Sequence, residues 1–200
     1  MYSKEQLNEF AKDFLMPRLD RNIKKIQQTV ALESIMIKKE LLSCVDNLLK
    51  KCISQQREET KQPIRYLHFF YLRLAVITQQ YDIQINVFSE QSYMDQIETM
   101  MLWKPDFIMN YYRDDIEAIE QEARNQVLHF GYPQLMELRE KCFAIYIVLI
   151  GQYLMSVIED ITSLASFQEM KKADDMQIVF GGYMDKGMQI WSLADQKERY

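Results

Sequence analysis

The chain has 200 residues, 48% of them apolar and 26% charged, which suffices for a core in one domain or one domain with a helical extension. Its formal charge is −5, unevenly spread: residues 1–63 carry twelve Lys/Arg against nine Asp/Glu (+3), the remainder twelve against twenty (−8). That balance gives no general attraction for nucleic acid or anionic membranes and excludes a purely electrostatic binder of either.

Five glycines and four prolines are few turn-formers, so long elements and few turns are predicted. Thirteen methionines suit irregular gaps in a core or a loosely defined apolar surface. Ser3 and Gln6 form a capping box ahead of Leu7, Phe10, Phe14 and Leu15 at helical spacing. Pro17 lacks an amide donor and should end or kink this helix, with a second stretch running through Leu19, Ile23 and Ile26. From Leu32 to Ile53 the pattern is helical again. Ile35, Leu42 and Leu49 recur every seven residues, Val45 and Cys52 fill the alternate seam, and Lys38 breaks it. So short a seam predicts an antiparallel hairpin or subunit contact, not an isolated rod. The polar stretch "SQQREETKQP" then divides a helical region, residues 1–62, from an α+β domain, residues 63–200.

In that second part, Ile83, Ile85 and Val87 alternate with Gln84 and Asn86, which predicts a half-buried strand. Tyr66 to Thr78 is aromatic and β-branched and reads as a long strand pairing back through "QQYD"; a helix over Ile64 to Gln79 is the competing reading. Ser92 and Asp95 predict a short helix through Met101 that Pro105 stops. Asp106 opens a helix with Ile108, Tyr112, Ile116, Ile119, Ala123 and Val127 on one face; His129, Gly131 and Pro133 suit its end and the next start. The following helix, from Pro133 to about Leu164, holds the apolar run "CFAIYIVLIGQYLMSVI". Its 17 residues include Gln152 and are bracketed by charge, so it reads as a buried central helix and not as a membrane span. "FQEMKKADD" is solvated helix or loop, and "MQIVFGGYMDKGMQIWSL" closes as a hairpin. The predicted fold is α+β and predominantly helical: a helical N-terminal region, a central buried long helix, and a small antiparallel sheet from two hairpins, about Tyr66–Phe88 and Gln177–Trp191.

Most local signatures of chemistry are missing. Neither His68 nor His129 shows metal-ligand spacing, and no metal or other cofactor is expected. His68 reads as a hydrogen-bonded core or edge residue and His129 as a helix-end residue. No nucleophile elbow, Walker or dinucleotide glycine pattern occurs. Cys142 lies in the most apolar helix, where a thiol is inert. The acidic run "YYRDDIEAIEQEARN" reads as a solvated helix face with pairs such as Glu120 and Arg124. Arg18, Arg21 and Lys25 share a face too sparsely charged for phosphate, so nucleic acid is not an expected partner. Three widely spaced cysteines without a leader pattern point to a reducing cytoplasm.

Two stretches read almost alike, "VFSEQSYMD" from Val87 and "VFGGYMD" from Val179. Their gaps differ by two residues, so they express similar strand exits in one sheet and no shared loop. The leading functional expectation is a non-enzymatic interaction or regulatory module in the cytoplasm, a homodimer that also contacts another protein. The alternative is a small-molecule sensor with an aromatic pocket drawn from Tyr66, His68, Arg73, Tyr111 and Arg113. The third is an enzyme whose site joins His68 to the Tyr111–Asp115 turn.

Overall fold

A computed structural model describes residues 8–95, 97–125 and 131–197. The predicted capping box at Ser3 and Gln6, Val127 and His129 lie outside these residues. In chain order, a π-helical turn at Ala11–Leu15 leads into α1 (Met16–Leu32), followed by α2 (Ser34–Arg57), β1 (Ile64–Tyr71), a single turn α3 (Ala75–Thr78) and β2 (Ile83–Phe88). A 3₁₀ turn at Ser92–Met94 precedes β3 (Met100–Trp103), α4 (Asp106–Asn125) and α5 (Tyr132–Ser156). Two short helices, α6 (Ile158–Thr162) and α7 (Ala165–Glu169), lead to β4 (Lys172–Gly182), β5 (Met188–Ser192) and α8 (Leu193–Lys197). The class is a helix-rich α+β fold. The chain divides into two compact units: Met1–Ile37, Val76–Gln79 and Pro105–Ile150 form one, Lys38–Ala75, Gln80–Lys104 and Gly151–Tyr200 the other.

In the first unit, Leu19 and Ile26 of α1, Ile108, Tyr112, Ile116 and Ile119 of α4, and Leu138, Cys142 and Tyr146 of α5 are buried. The helical spacing read along α4 is therefore its core stripe. Tyr112 packs edge-on against Phe143 at 5.5 Å and Tyr146 at 5.7 Å between ring centroids, a geometry that suits the aromatic quadrupoles. Pro17 does not end the first helix. The π-helical turn just before it directs the Met16 amide to the Ala11 carbonyl, and the chain stays helical through a residue that has no amide to give. Asp115 corrects the reading of a wholly solvated acidic face, since it is completely buried. Its carboxylate accepts hydrogen bonds from Arg18 Nε (3.1 Å), Asn22 Nδ2 (2.8 Å) and the Tyr146 hydroxyl (2.6 Å). One carboxylate thus ties α1, α4 and α5, and Arg18 is drawn inward from the basic stripe.

The second unit holds a five-stranded sheet in the order β3-β2-β1-β4-β5. Neighbours are antiparallel except β1 and β4, which run parallel, so the sheet is mixed where an antiparallel one was expected. Helices separate β3 from β4 in the chain, and a parallel pair requires such a long crossover. The predicted strand over Tyr66–Thr78 ends at Tyr71, with Ala75–Thr78 helical. The predicted helix through Met101 is only a 3₁₀ turn, because Met100–Trp103 pairs along β2 and covers its open edge. Cross-strand pairs Leu67–Val87, Phe69–Ile85 and Phe69–Phe180 build an apolar face. Gly151 admits Phe180 there: a Cβ on that residue would lie 2.9 Å from the ring. Val45, Leu49 and Cys52 of the predicted seam are buried within the chain, whereas Ile35 is 83% exposed. Along α5, Val148 and Met155 are exposed, and the helix ends at Ser156 rather than near Leu164. Among the described residues no helix is long and apolar enough to cross a membrane.

Candidate ligand-binding site

The site grows from the end of α2. Helix α2 closes with the Thr60 and Lys61 amides both donating to the Gln55 carbonyl, at 2.9 and 3.2 Å. That closure places Glu59 in the left-handed region at φ 59°, the position where helices favour glycine. A residue with a Cβ pays roughly 1 kcal/mol there. The buried side chain of Gln56 fixes the segment that follows: its Nε2 donates to the carbonyls of Gln62 (3.3 Å) and Lys171 (2.9 Å), and its Oε1 accepts from the Lys171 amide (2.9 Å). The β1–β2 pair, with Tyr66 opposite Phe88, brings the residues before β1 beside those after β2.

At that junction Lys61 meets Asp95, Nζ to Oδ2, at 2.7 Å, with side chains only 2% and 7% exposed. Asp95 also accepts from the Ser89 amide at 2.9 Å and, at its other oxygen, from the Ser89 hydroxyl. Burial would raise the Asp95 pKa, but the hydrogen bonds from Lys61 and Ser89 outweigh it and hold the carboxyl below its ordinary value. Lys61 makes a second bond, to the Ile97 carbonyl at 2.9 Å. An ammonium has three hydrogens, so one remains without a protein acceptor among the described residues. A pocket of about 340 Å³ opens here, lined by Glu59, Thr60, Lys61, Gln62, Ser89, Gln91, Asp95 and Ile97. That volume suits a metabolite-sized molecule.

The arrangement binds better than it reacts. A general base works best with a pKa near the working pH, and Asp95 is held down. The Ser89 hydroxyl is spent as a donor to that same carboxylate.

The five residues named from sequence lie elsewhere, and none lines this pocket. Tyr66 and His68 share a face of β1 in the second unit, and Arg73 pairs with Asp185 at 2.7 Å just beyond that strand. Tyr111 and Arg113 stand on α4 in the first unit, where Arg113 bonds to Asp106 and Asn110. His68 is buried and its Nε2 has no hydrogen-bond partner, contrary to the bonded histidine expected; burial lowers its pKa to about 4. Among the described residues no group of three His, Cys, Asp or Glu could hold a metal.

Sequence reasoning passed over Lys61, which sits inside a polar connector without a local signature. The paired "YMD" stretches held the missed signal. Both strands flank β1, and each terminal aspartate meets a basic residue from one end of it: Asp95 with Lys61 before the strand, Asp185 with Arg73 after it. Compared with protein-family models, curated proteins and solved structures, the chain matches none.

Proposed function

We propose that this protein is a non-enzymatic regulatory module of the cytoplasm that binds a small polar molecule in the Lys61–Asp95 pocket. The observation that carries the reading is the uncommitted ammonium hydrogen of a lysine that is almost wholly buried at a metabolite-sized cavity. A buried donor left without an acceptor is costly, and a bound ligand atom or water relieves that cost. The earlier aromatic pocket gives way to a polar one, while the sensor character is kept. Regulation by self-association belongs to the same reading: Leu32, Ile35 and Met36 are 86%, 83% and 66% exposed on consecutive turns, and covering them would favour a homodimer.

Native mass spectrometry tests both parts at once. The protein is expected to carry a small-molecule adduct on a dimer. Removing Lys61 alone would strand a buried carboxylate at a cost of about 3–5 kcal/mol, so the variant to use is Lys61→Met with Asp95→Asn. It should keep the wild-type circular dichroism and lose the adduct. Retention of the adduct by the folded pair variant would move the site elsewhere, and a monomer would remove the self-association.

A further inference from the structure

We infer that the ligand of this pocket is a small zwitterion of the amino-acid type, its carboxylate taken by Lys61 and its ammonium by Glu59; this rests on the pocket being a ligand site. Two observations carry it besides the uncommitted Lys61 hydrogen. Glu59 lines the same pocket as an exposed side chain, and its carboxylate enters no ion pair or hydrogen bond among the described residues. Glu59 also holds the left-handed backbone position where glycine would be free of strain. Backbone strain of this kind gathers where the side chain has work to do, because a residue chosen for stability alone would differ.

Charge selects the ligand class. Lys61, Asp95 and Glu59 sum to a formal −1: Lys61 and Asp95 offset one another, so Lys61 offers the ligand a charge-assisted donor and Glu59 carries the uncompensated charge. A simple carboxylic acid would satisfy Lys61 but meet repulsion from Glu59. A simple amine would satisfy Glu59 and leave the Lys61 hydrogen stranded. A zwitterion answers both: its carboxylate meets the almost wholly buried Lys61, where the attraction is little screened, and its ammonium meets the exposed Glu59, where solvent weakens it. The exposed amides of Gln62 and Gln91 complete the lining, each able to donate and accept toward a polar side chain.

The test is a melting-temperature titration of the full chain with three probe sets: the common L-amino acids singly, matched carboxylates without an amine (acetate, succinate), and polyols (glycerol, sorbitol). At least one amino acid should raise the melting temperature by several degrees at saturation, and the other two sets should not. Glu59→Gln should keep the free protein's melting temperature and weaken the active amino acid a few-fold, as loss of an exposed ion pair does. Glu59→Gly should do the same to binding while raising the free protein's melting temperature, a pairing of opposite signs that general damage to the fold cannot produce. If carboxylates or polyols act as well as amino acids through a Lys61-dependent shift, or Glu59→Gln binds undiminished, the zwitterion is overturned and the pocket stands. If no probe of any set shifts the protein, both the ligand class and the pocket reading fall.

Discussion

His68 is a titratable group placed where its charged form is unwelcome. On β1 it stands between Asn86 of β2 and Val179 of β4, its ring 4.2 Å from that of Phe70. Burial lowers its pKa from the usual 6.5 to about 4. In the unfolded chain the imidazole regains its ordinary value and takes up a proton as pH falls below 6.5. The unfolded state then binds more protons than the native one, so stability declines with falling pH and the decline ends near pH 4. Between pH 7 and pH 5 this one residue should cost about 2 kcal/mol. Urea midpoints of wild type and His68→Leu at both pH values check it: wild type should lose stability over this interval by that margin more than the variant. Parallel losses would mean that the ring is not held neutral. Nothing in "LHFFY" announced an unpartnered histidine, because whether Nε2 finds an acceptor depends on strands that arrive from residues 83–88 and 172–182.

Among elements, legibility followed periodicity. The stripe Ile108, Tyr112, Ile116 and Ile119 was readable because one face of α4 does nothing but pack, and the alternation Ile83, Ile85, Val87 because β2 has one apolar face. β3 and the start of β4 were not readable. Met100–Trp103 is too short to show a period and is a strand because β2 offers it unpaired amides and carbonyls; Lys172–Asp175 is polar, and of these four only Lys172 pairs with β1, opposite Ile64, before the register shifts. Tertiary pairing outweighed local propensity in β3. The Asp115 cluster was hidden for a related reason, since its donors come from α1 and α5, more than 30 positions away in one case and more than 90 in the others. Burial, and then the Asp115 carboxylate, hold the Tyr146 phenol protonated well above its ordinary value, so it acts as a fixed donor. Tyr146→Phe deletes one charge-assisted bond and leaves two donors on Asp115. A loss of about 2 kcal/mol is expected in chemical denaturation, with little change in helical content. A variant as stable as wild type would show that Arg18 and Asn22 alone satisfy the carboxylate.

At the scale of the molecule, the three cysteines report on the two units separately. Cys142 belongs to the first unit and Cys52 to the second; both are fully buried. Burial raises the Cys52 thiol to about 11 against the opposing pull of Lys61, and burial together with the Asp115 carboxylate pushes Cys142 higher still. Cys44 is half-buried, its thiol 3.5 Å from the Leu102 carbonyl, and burial raises it more gently. Only a thiolate attacks a disulfide reagent, so reactivity requires both access and ionisation. In native buffer near pH 8, a coloured disulfide reagent should therefore titrate one thiol, Cys44, and after denaturation all three. The remaining two should label at least a hundredfold more slowly than Cys44, at rates set by opening of the structure around each. Mass mapping of partly labelled protein then separates the units. Equal fractions of modified Cys52 and Cys142 at every time would mean that both thiols are exposed by one cooperative opening. Early labelling of Cys142 alone would mean that the helical unit opens while the sheet stays closed. In that case ligands of the Lys61 pocket should protect Cys52, in the unit that holds the pocket, and leave the Cys142 rate unchanged.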